Sequence, residues 1–426
     1  MKRGVTAFAF ASGLLFLGIH AVLLVRGRGI IWDEAVYLVM GQFLASAGST
    51  GYWEALRPPL WPVLLSIAEL LGSQVVLARI ISLVTGLAGP VLLFILLRRH
   101  VQEWIAVLCA SLLAFIDIWF FASGMLLTGV ISSTTMIAAF LAYDKQRPTL
   151  AGLLSACAFL IRFPAGLVLA GLVIGALLRQ DKNKQRSLLR MLCGFGIPVA
   201  IWLFINLAVH HEQGLVAPIY PLLSGSANVF TQNLWMRDTS LLFYPVRLLL
   251  LLPVSILSLV ALPGLRRNAA LLPIASQAVL ALAFFTVLPN NQWRFALLII
   301  PGVLALTAAG ADWATLAHPR SRAWILGALA LNLALLCMLA ASDLDDYGQP
   351  LQEHEPALRY FAHNPPDGPI LIAHPLAALD VKAPATPYYF EFSDRLGAEL
   401  ANGSVHGVVH ADASFPCPPM DAACEA

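Results

Sequence analysis

Charge is what this chain has least of: Asp, Glu, Lys and Arg together make up 12% of its 426 residues, about half the share found in ordinary soluble domains. Hydrophobic side chains make up 59%, and the combination excludes a soluble enzyme. Metal-ligand spacings are missing as well. No CxxC or HExxH occurs, so a structural metal site is not indicated, and there is neither a Gly-rich phosphate loop nor an internal repeat. Cysteines number six, and Cys109, Cys157, Cys193 and Cys337 lie in apolar stretches, where the thiol packs as a small apolar group. Cys417 and Cys424 stand in a polar tail, either as a disulfide in an oxidising compartment or as two free thiols.

The few charges are not spread evenly. They crowd into short runs between apolar stretches of membrane-spanning length, and residues 342–426 carry 3 basic and 13 acidic side chains against 23 and 11 in the remainder. The chain therefore reads as an all-α polytopic membrane domain over 1–341, followed by a small α/β domain in water over 342–426. Its modest net charge of +2 argues against nucleic acid as a partner. A crossing helix needs about 20 apolar residues, and eleven candidate spans lie near 7–25, 74–97, 104–122, 125–143, 149–162, 164–178, 191–210, 243–262, 269–288, 295–313 and 323–341. The stretch 149–178 is split at Arg162-Phe163-Pro164, because a charge followed by proline suits a surface turn. The split also puts Lys2, Arg3, Arg98, Arg99, Lys145, Arg147, Arg179, Lys182, Lys184, Arg186, Arg190, Arg266, Arg267, Arg320 and Arg322 on one side, 15 of the 26 basic residues. The positive-inside rule makes that side the cytoplasm. The N-terminus is then expected inside the cell, with loops 26–73, 211–242 and 289–294 and the C-terminal tail outside. A signal peptide is the rival reading of 1–25, but no small-residue cleavage site follows, so this segment is taken as an anchor.

The first outward loop, 26–73, is long for a bare connector. Its residues 33–46 predict an amphipathic helix lying on the membrane, with Trp32, Val36, Val39, Met40 and Phe43 on one stripe and Asp33 and Tyr37 on the other face. Asp33 and Glu34 have a structural reading, as a cap and a first-turn acid at the positive end of that helix, and a functional one. Arg57 precedes Pro58-Pro59-Leu60-Trp61-Pro62, whose prolines hold the chain extended and then start a second surface helix ending at Gly72. Singly, Arg57 reads as a cation touching lipid headgroups. An acidic pair and a fixed arginine in one loop describe a base beside an anion site.

The order of first span, Asp33-Glu34, aromatic-rich spacer, Arg57-Pro58-Pro59-Leu60 and second span resembles the GT-C superfamily of membrane glycosyltransferases. The similarity is to its protein mannosyltransferase and lipid A aminoarabinose transferase branch, the dolichyl-phosphate-mannose mannosyltransferase group. Leu77-Ala78-Arg79, Phe159-Leu160-Ile161-Arg162, Trp293-Arg294-Phe295 and Pro301 are similar to patterns recurring there. The resemblance covers roughly residues 5–315 in topology and implies an inverting transfer of a sugar from a polyprenyl-phosphate carrier to a lipid, glycan or protein acceptor on the outer side of the membrane. It implies Asp33 as general base, Glu34 as orienting acid or cation ligand, and Arg57 on the carrier phosphate, in the place of the Lys or His that often precedes Pro-Pro-Leu in relatives. No cofactor is firmly implied, and a divalent cation, held by Glu34 if by anything, is compatible with the pattern. One departure is plain: many relatives carry an acid between the third and fourth spans, whereas Ser123-Gly124-Met125-Leu126-Leu127-Thr128 has none. Asp117 lies nearby within the third span, as an acid serving the site or a structural one bonded to neighbouring helices. Metal dependence and acceptor class are both left open by that departure.

Arg79, Arg162, Arg247 and Arg294 each read singly as a snorkelling arginine. Together with Arg57 they read as a basic bowl at headgroup depth, in which Arg57, Arg79, Arg162 and Arg294 are candidates for holding the donor phosphate and Arg247 is the weakest member. Tyr37, Asn290, Asn291 and Asp117 are candidates for binding substrate. His210, His211 and Glu212 lack a third ligand and read as interfacial hydrogen-bonding groups. In the tail, strands are expected at Pro369–Ala373 and Val405–Val409 and helices at 355–363 and 392–401, and its five histidines show no ligand spacing. The rival function is a polytopic transporter, for which Asp117 and Arg162 within spans would be natural. Transporters, however, place binding groups near the midplane, often in repeated halves, whereas here the polar residues gather at outward ends.

Overall fold

The computed structural model describes residues 2–25, 30–54, 57–72, 74–179, 183–223, 241–288, 292–342, 370–372, 379, 385–387 and 407–409. Asn290, Asn291, Cys417, Cys424 and the two expected tail helices lie outside the described residues. Contacts divide the chain into two compact units. One holds residues 1–25, 56–58 and 81–345, and the other 26–55, 59–80 and 346–426, so most of the first loop groups with the C-terminal region.

The described residues of the candidate spans are mostly helical, and the protein is an integral membrane protein. Among the described residues six helices are long and apolar enough to cross by themselves, or eight if two bent pairs each count once. They begin with α1, Lys2–Val25, and α4, Gln74–Leu97. Between these lie α2, Trp32–Ala45, and α3, Leu60–Leu70. The third stretch is α5, Glu103–Phe115, bent by 64° into α6, Asp117–Ser123. The shorter α7, Thr128–Asp144, α8, Pro148–Ile161, and α9, Leu167–Leu178, follow, then α10, Lys184–Val209. Arg162 is extended and ends α8, and a 3₁₀ turn over Phe163–Gly166 starts the return, as the charge-proline pair requires. The stretch 243–262, expected as one helix, is instead α11, Phe243–Leu251, turned by 111° into a 3₁₀ segment, Pro253–Val260, and α12, Ala261–Arg267. Pro253 is the reason: it removes a donor and biases Leu252 out of the helical region. Asn332 Nδ2 donates to the Leu251 carbonyl at 2.9 Å, satisfying a group freed at the bend. The remaining helices are α13, Leu272–Val287, α14, Ile300–Ala317, and α15, Ser321–Ser342, with a 3₁₀ segment Trp293–Leu298 leading into α14.

In the larger unit, α5 is buried from Trp104 to Phe115, while α1, α10 and α15 expose Phe10, Phe204, Leu331 and Met338. Buried helices and apolar outward faces are what a bilayer solvent selects. Small residues set the closest approach, as expected where packing rather than water drives association. A Cβ on Gly152 of α8 would meet the Met191 carbonyl of α10, and one on Gly194 of α10 would meet the Thr149 carbonyl of α8. Pro90 inside α4 leaves the Gly86 carbonyl without its usual donor, and Trp119 Nε1 supplies one at 2.9 Å. Phe16, His20, Phe115 and Phe120 stack around the α5–α6 break, with His20 between Phe16 and Phe120 at ring centroids 4.5 and 4.6 Å away. At the N-terminus of α5, Asp312 of α14 accepts from the Gln102 amide at 3.0 Å, supplying the cap that Gln102 itself does not.

At the other end of α7, Asp144 takes Arg99 Nε at 2.6 Å and His100 Nε2 at 2.9 Å. Burial alone would raise this carboxyl, but the hydrogen bonds and charges of His100 and Arg99 outweigh it and hold the group below the usual carboxylate range. In the smaller unit, strands β1, Ile370–Ile372, β2, Ala385–Pro387, and β3, Gly407–Val409, form a parallel sheet in the order β2-β1-β3. The first and third coincide with the expected strands; β2 carried no alternation and contains Pro387.

Two outcomes test this packing. Replacing Gly152 or Gly194 by valine drives a side chain into a facing backbone carbonyl, and each variant should lose about 1–3 kcal/mol, read as a lower unfolding temperature in detergent. The Asp144 tie contributes stability that is complete above the carboxyl's unfolded pKa, about 4, and is lost as pH falls through its lower folded value. Asp144→Asn should therefore unfold more readily near neutral pH and show a smaller additional loss on acidification than the native chain.

Candidate active site

The first loop forms its helix as expected, but not in the expected surroundings. Residues Glu34 to Gly41 of α2 are all buried, so α2 is a core helix of the smaller unit and not an amphipathic helix with one wet face. Tyr37, placed by the sequence on an open polar face beside Asp33, is 4% exposed. α3 and the segment after α2 pack closely against the helix. Gly41 has no side chain, and a Cβ there would lie 2.7 Å from Gln74 Nε2 and 2.9 Å from Leu65 Cβ. Gly51, at φ +71°, lies so close that a Cβ would meet the Val39 carbonyl at 2.6 Å. Gln74 Nε2 then donates to the Leu38 carbonyl at 2.8 Å.

Asp33 is half-buried in the first turn of α2, and Glu34 is 0% exposed. The cap of α2 is Ile31, whose side chain accepts nothing, and Glu34 Oε2 accepts from the Ile31 amide at 2.8 Å. Glu34 thus performs the structural task that the sequence allowed it. Glu54, also buried at 6% exposure, is a second carboxylate of this loop that no pattern singled out. Arg79 sits in α4, buried at 7% exposure. Asp33, Glu34, Tyr37 and Arg79 belong to the smaller unit; Arg57, Asp117, Arg162, Arg247 and Arg294 belong to the larger. Arg57 is half-buried and precedes Pro58 and Pro59, and α3 begins at Leu60 as the proline pair predicts.

In the larger unit the 3₁₀ segment Trp293–Leu298 gathers most of the remaining candidates. Asp117 opens α6 at the bend after Ile116, so it lies at a helix break instead of within a continuous span. Both its carboxylate oxygens take the indole Nε1 of Trp293 at 3.2 Å. Arg247 stands over the same indole, 5.8 Å from its centroid, and over Phe243 at 4.8 Å. Arg162 and Arg294 approach one ring, Phe295, at 5.2 and 5.8 Å, and Phe285 stacks on that ring at 5.0 Å with planes 11° apart. Tyr244 Oη donates to the Gln292 carbonyl at 3.0 Å. The carbonyls of Leu297 and Leu298 are taken by Ser133 Oγ at 2.8 Å and Gln277 Nε2 at 2.9 Å. Arg162, Arg247 and Arg294 thus all stand over rings of one short aromatic segment. Arg247, ranked weakest from sequence, belongs to this cluster, and the aromatic partners were legible only as the Trp293-Arg294-Phe295 run.

No group of three His, Cys, Asp or Glu side chains suited to a metal ion occurs among the described residues. His211 Nδ1 pairs with the Ala208 carbonyl at 3.2 Å and the His210 ring meets Tyr220 at 5.2 Å.

Comparison with solved structures decides the architecture. ArnT from Cupriavidus metallidurans bound to undecaprenyl phosphate matches over 95% of this chain and 90% of its own, with a TM-score of 0.64 and 15% identity. The apo form of the same protein matches over the same shares, with a TM-score of 0.63 and 16% identity. The chain has the GT-C membrane fold. No protein-family model and no curated protein matches its sequence, so the fold stands on shape, with side-chain identity largely exchanged.

Trp293→Phe removes the single indole hydrogen that both Asp117 oxygens share. A hydrogen bond to a charged group is worth about 1.5–3 kcal/mol, and thermal unfolding in detergent should show a loss of that order. Asp117→Asn keeps an acceptor oxygen and should lose less; equal or greater loss would show that the indole contact does not set the stability of this break.

Proposed function

We propose that this protein is an inverting glycosyltransferase that moves a sugar from a polyprenyl-phosphate donor to an acceptor hydroxyl at the outer face of the cytoplasmic membrane. The observation that carries the reading is the likeness in fold, over 95% of the chain, to a protein crystallised with undecaprenyl phosphate. The Asp33-Glu34 pair opening α2 and the Arg57-Pro58-Pro59-Leu60 run support it. In this reading Asp33 takes the proton of the acceptor hydroxyl while that oxygen attacks the anomeric carbon from the side opposite the phosphate. The bond between carbon and phosphate oxygen breaks, and its electron pair stays on the phosphate. Glu34 keeps the start of α2 in place, and Tyr37, Asp117, Asn290 and Asn291 are assigned to binding the substrate. Arg57, Arg79, Arg162 and Arg294 hold the phosphate. Negative charge grows on the leaving phosphate as the bond breaks, so fixed guanidinium groups stabilise the transition state more than the ground state.

The bent pairs α5–α6 and α11–α12 also suit a transporter, whose binding groups commonly sit at broken helices. Membranes supplied with radiolabelled polyprenyl-phosphate sugars distinguish the two, because a transferase moves label from carrier to acceptor whereas a transporter moves it across the bilayer unchanged. Asp33→Asn should keep carrier binding and lose transfer by about 100-fold or more, the share of general base catalysis, while Arg57→Ala should weaken carrier binding. Normal turnover by Asp33→Asn would remove the base from this mechanism.

A further inference from the structure

We propose that Gln42 is a positioning residue whose amide fastens α2 to the C-terminal region and so fixes the direction of the side chains that α2 carries, Asp33 among them. The inference rests on the assignment of Asp33 as the base. Gln42 Nε2 donates to the carbonyl of Leu379 at 3.1 Å, across 337 residues of chain, and both residues belong to the smaller unit. Other contacts of α2 include Gln74 on the Leu38 carbonyl, Leu65 and Gln74 against Gly41, and Gly51 against Val39. The Gln42 bond ties α2 to residues after 345.

Its position on the helix gives that bond its effect. Gln42 follows Asp33 by nine residues, which at 3.6 residues per turn puts it on the opposite side of the helix. It reaches away from the side on which Asp33 works, touching no substrate, and resists rotation of α2 about its axis. A catalytic group must be held within about 0.5 Å and 10–20° of its working geometry, and the Gln42 bond adds a directional tie to the close packing at Gly41 and Gly51. A side-chain amide in a half-buried position also costs free energy if it finds no partner, so the bond is self-enforcing once the C-terminal region is in place.

The test uses the full-length protein with Gln42→Ala and Gln42→Glu, measuring kcat and KM for the polyprenyl-phosphate sugar per folded molecule, together with hydrogen exchange of the amides of residues 33–45. Gln42→Ala should lower kcat about five- to tenfold with KM within about twofold, and the α2 amides should exchange faster by a similar factor. Gln42→Glu, which turns a carboxylate toward the Leu379 carbonyl, should lower kcat further. Unchanged kcat and unchanged exchange in Gln42→Ala would overturn the proposal. Where the native protein transfers no sugar from any donor, the transferase reading falls, and exchange in α2 still judges the tie: faster exchange supports it and native-like exchange overturns it.

Discussion

A helix that breaks inside a bilayer frees backbone carbonyls and amides that no water can reach, and every one must find a protein partner. That constraint governs where this chain keeps its few polar side chains. Asn332 answers the bend after α11, Trp119 answers the carbonyl released by Pro90, and Ser133 and Gln277 answer the 3₁₀ segment before α14. The same segment then projects Trp293, Arg294 and Phe295 from a short, tight coil, and Asp117 and Arg247 meet its indole from two other elements. Breaks are expensive in apolar surroundings, and the one after Ile116 is where Asp117 meets the Trp293 indole.

Much of the architecture was legible because the bilayer simplifies the code. Apolar runs bounded by basic clusters mark the helices, and the Arg162-Phe163-Pro164 turn was readable from a charge next to a residue that cannot donate. The 111° turn after Leu251 was not read, although Pro253 lay in the run, because the flanking leucines and valines keep hydropathy high straight through the bend. Hydropathy measures what a segment dissolves in, and it is silent about direction.

The same limit explains the error at α2. Its apolar stripe was read against an assumed membrane on one side and water on the other, which made Tyr37 an open polar residue. The glycines at 41 and 51 carry the opposite message, since each permits an approach that any Cβ would block. Their meaning depends on which segment approaches, and a single sequence does not say. Gln42 is of the same kind: a polar residue near the end of a helix is unremarkable until its partner, Leu379, is found 337 residues away.

Burial changes what the acidic pair can be. An amphipathic helix resting on a membrane would carry its carboxylates on a mobile, wet face, where a base is solvated and its direction averages out. In a helix closed in from Glu34 to Gly41, the pair divides its work. Glu34, at 0% exposure, spends an oxygen on the Ile31 amide and anchors the helix start, and Asp33, one residue earlier and half-buried, keeps access to the outside. The proton abstraction assigned to Asp33 in the proposed reaction would thus start from a helix end that its neighbour anchors to the backbone.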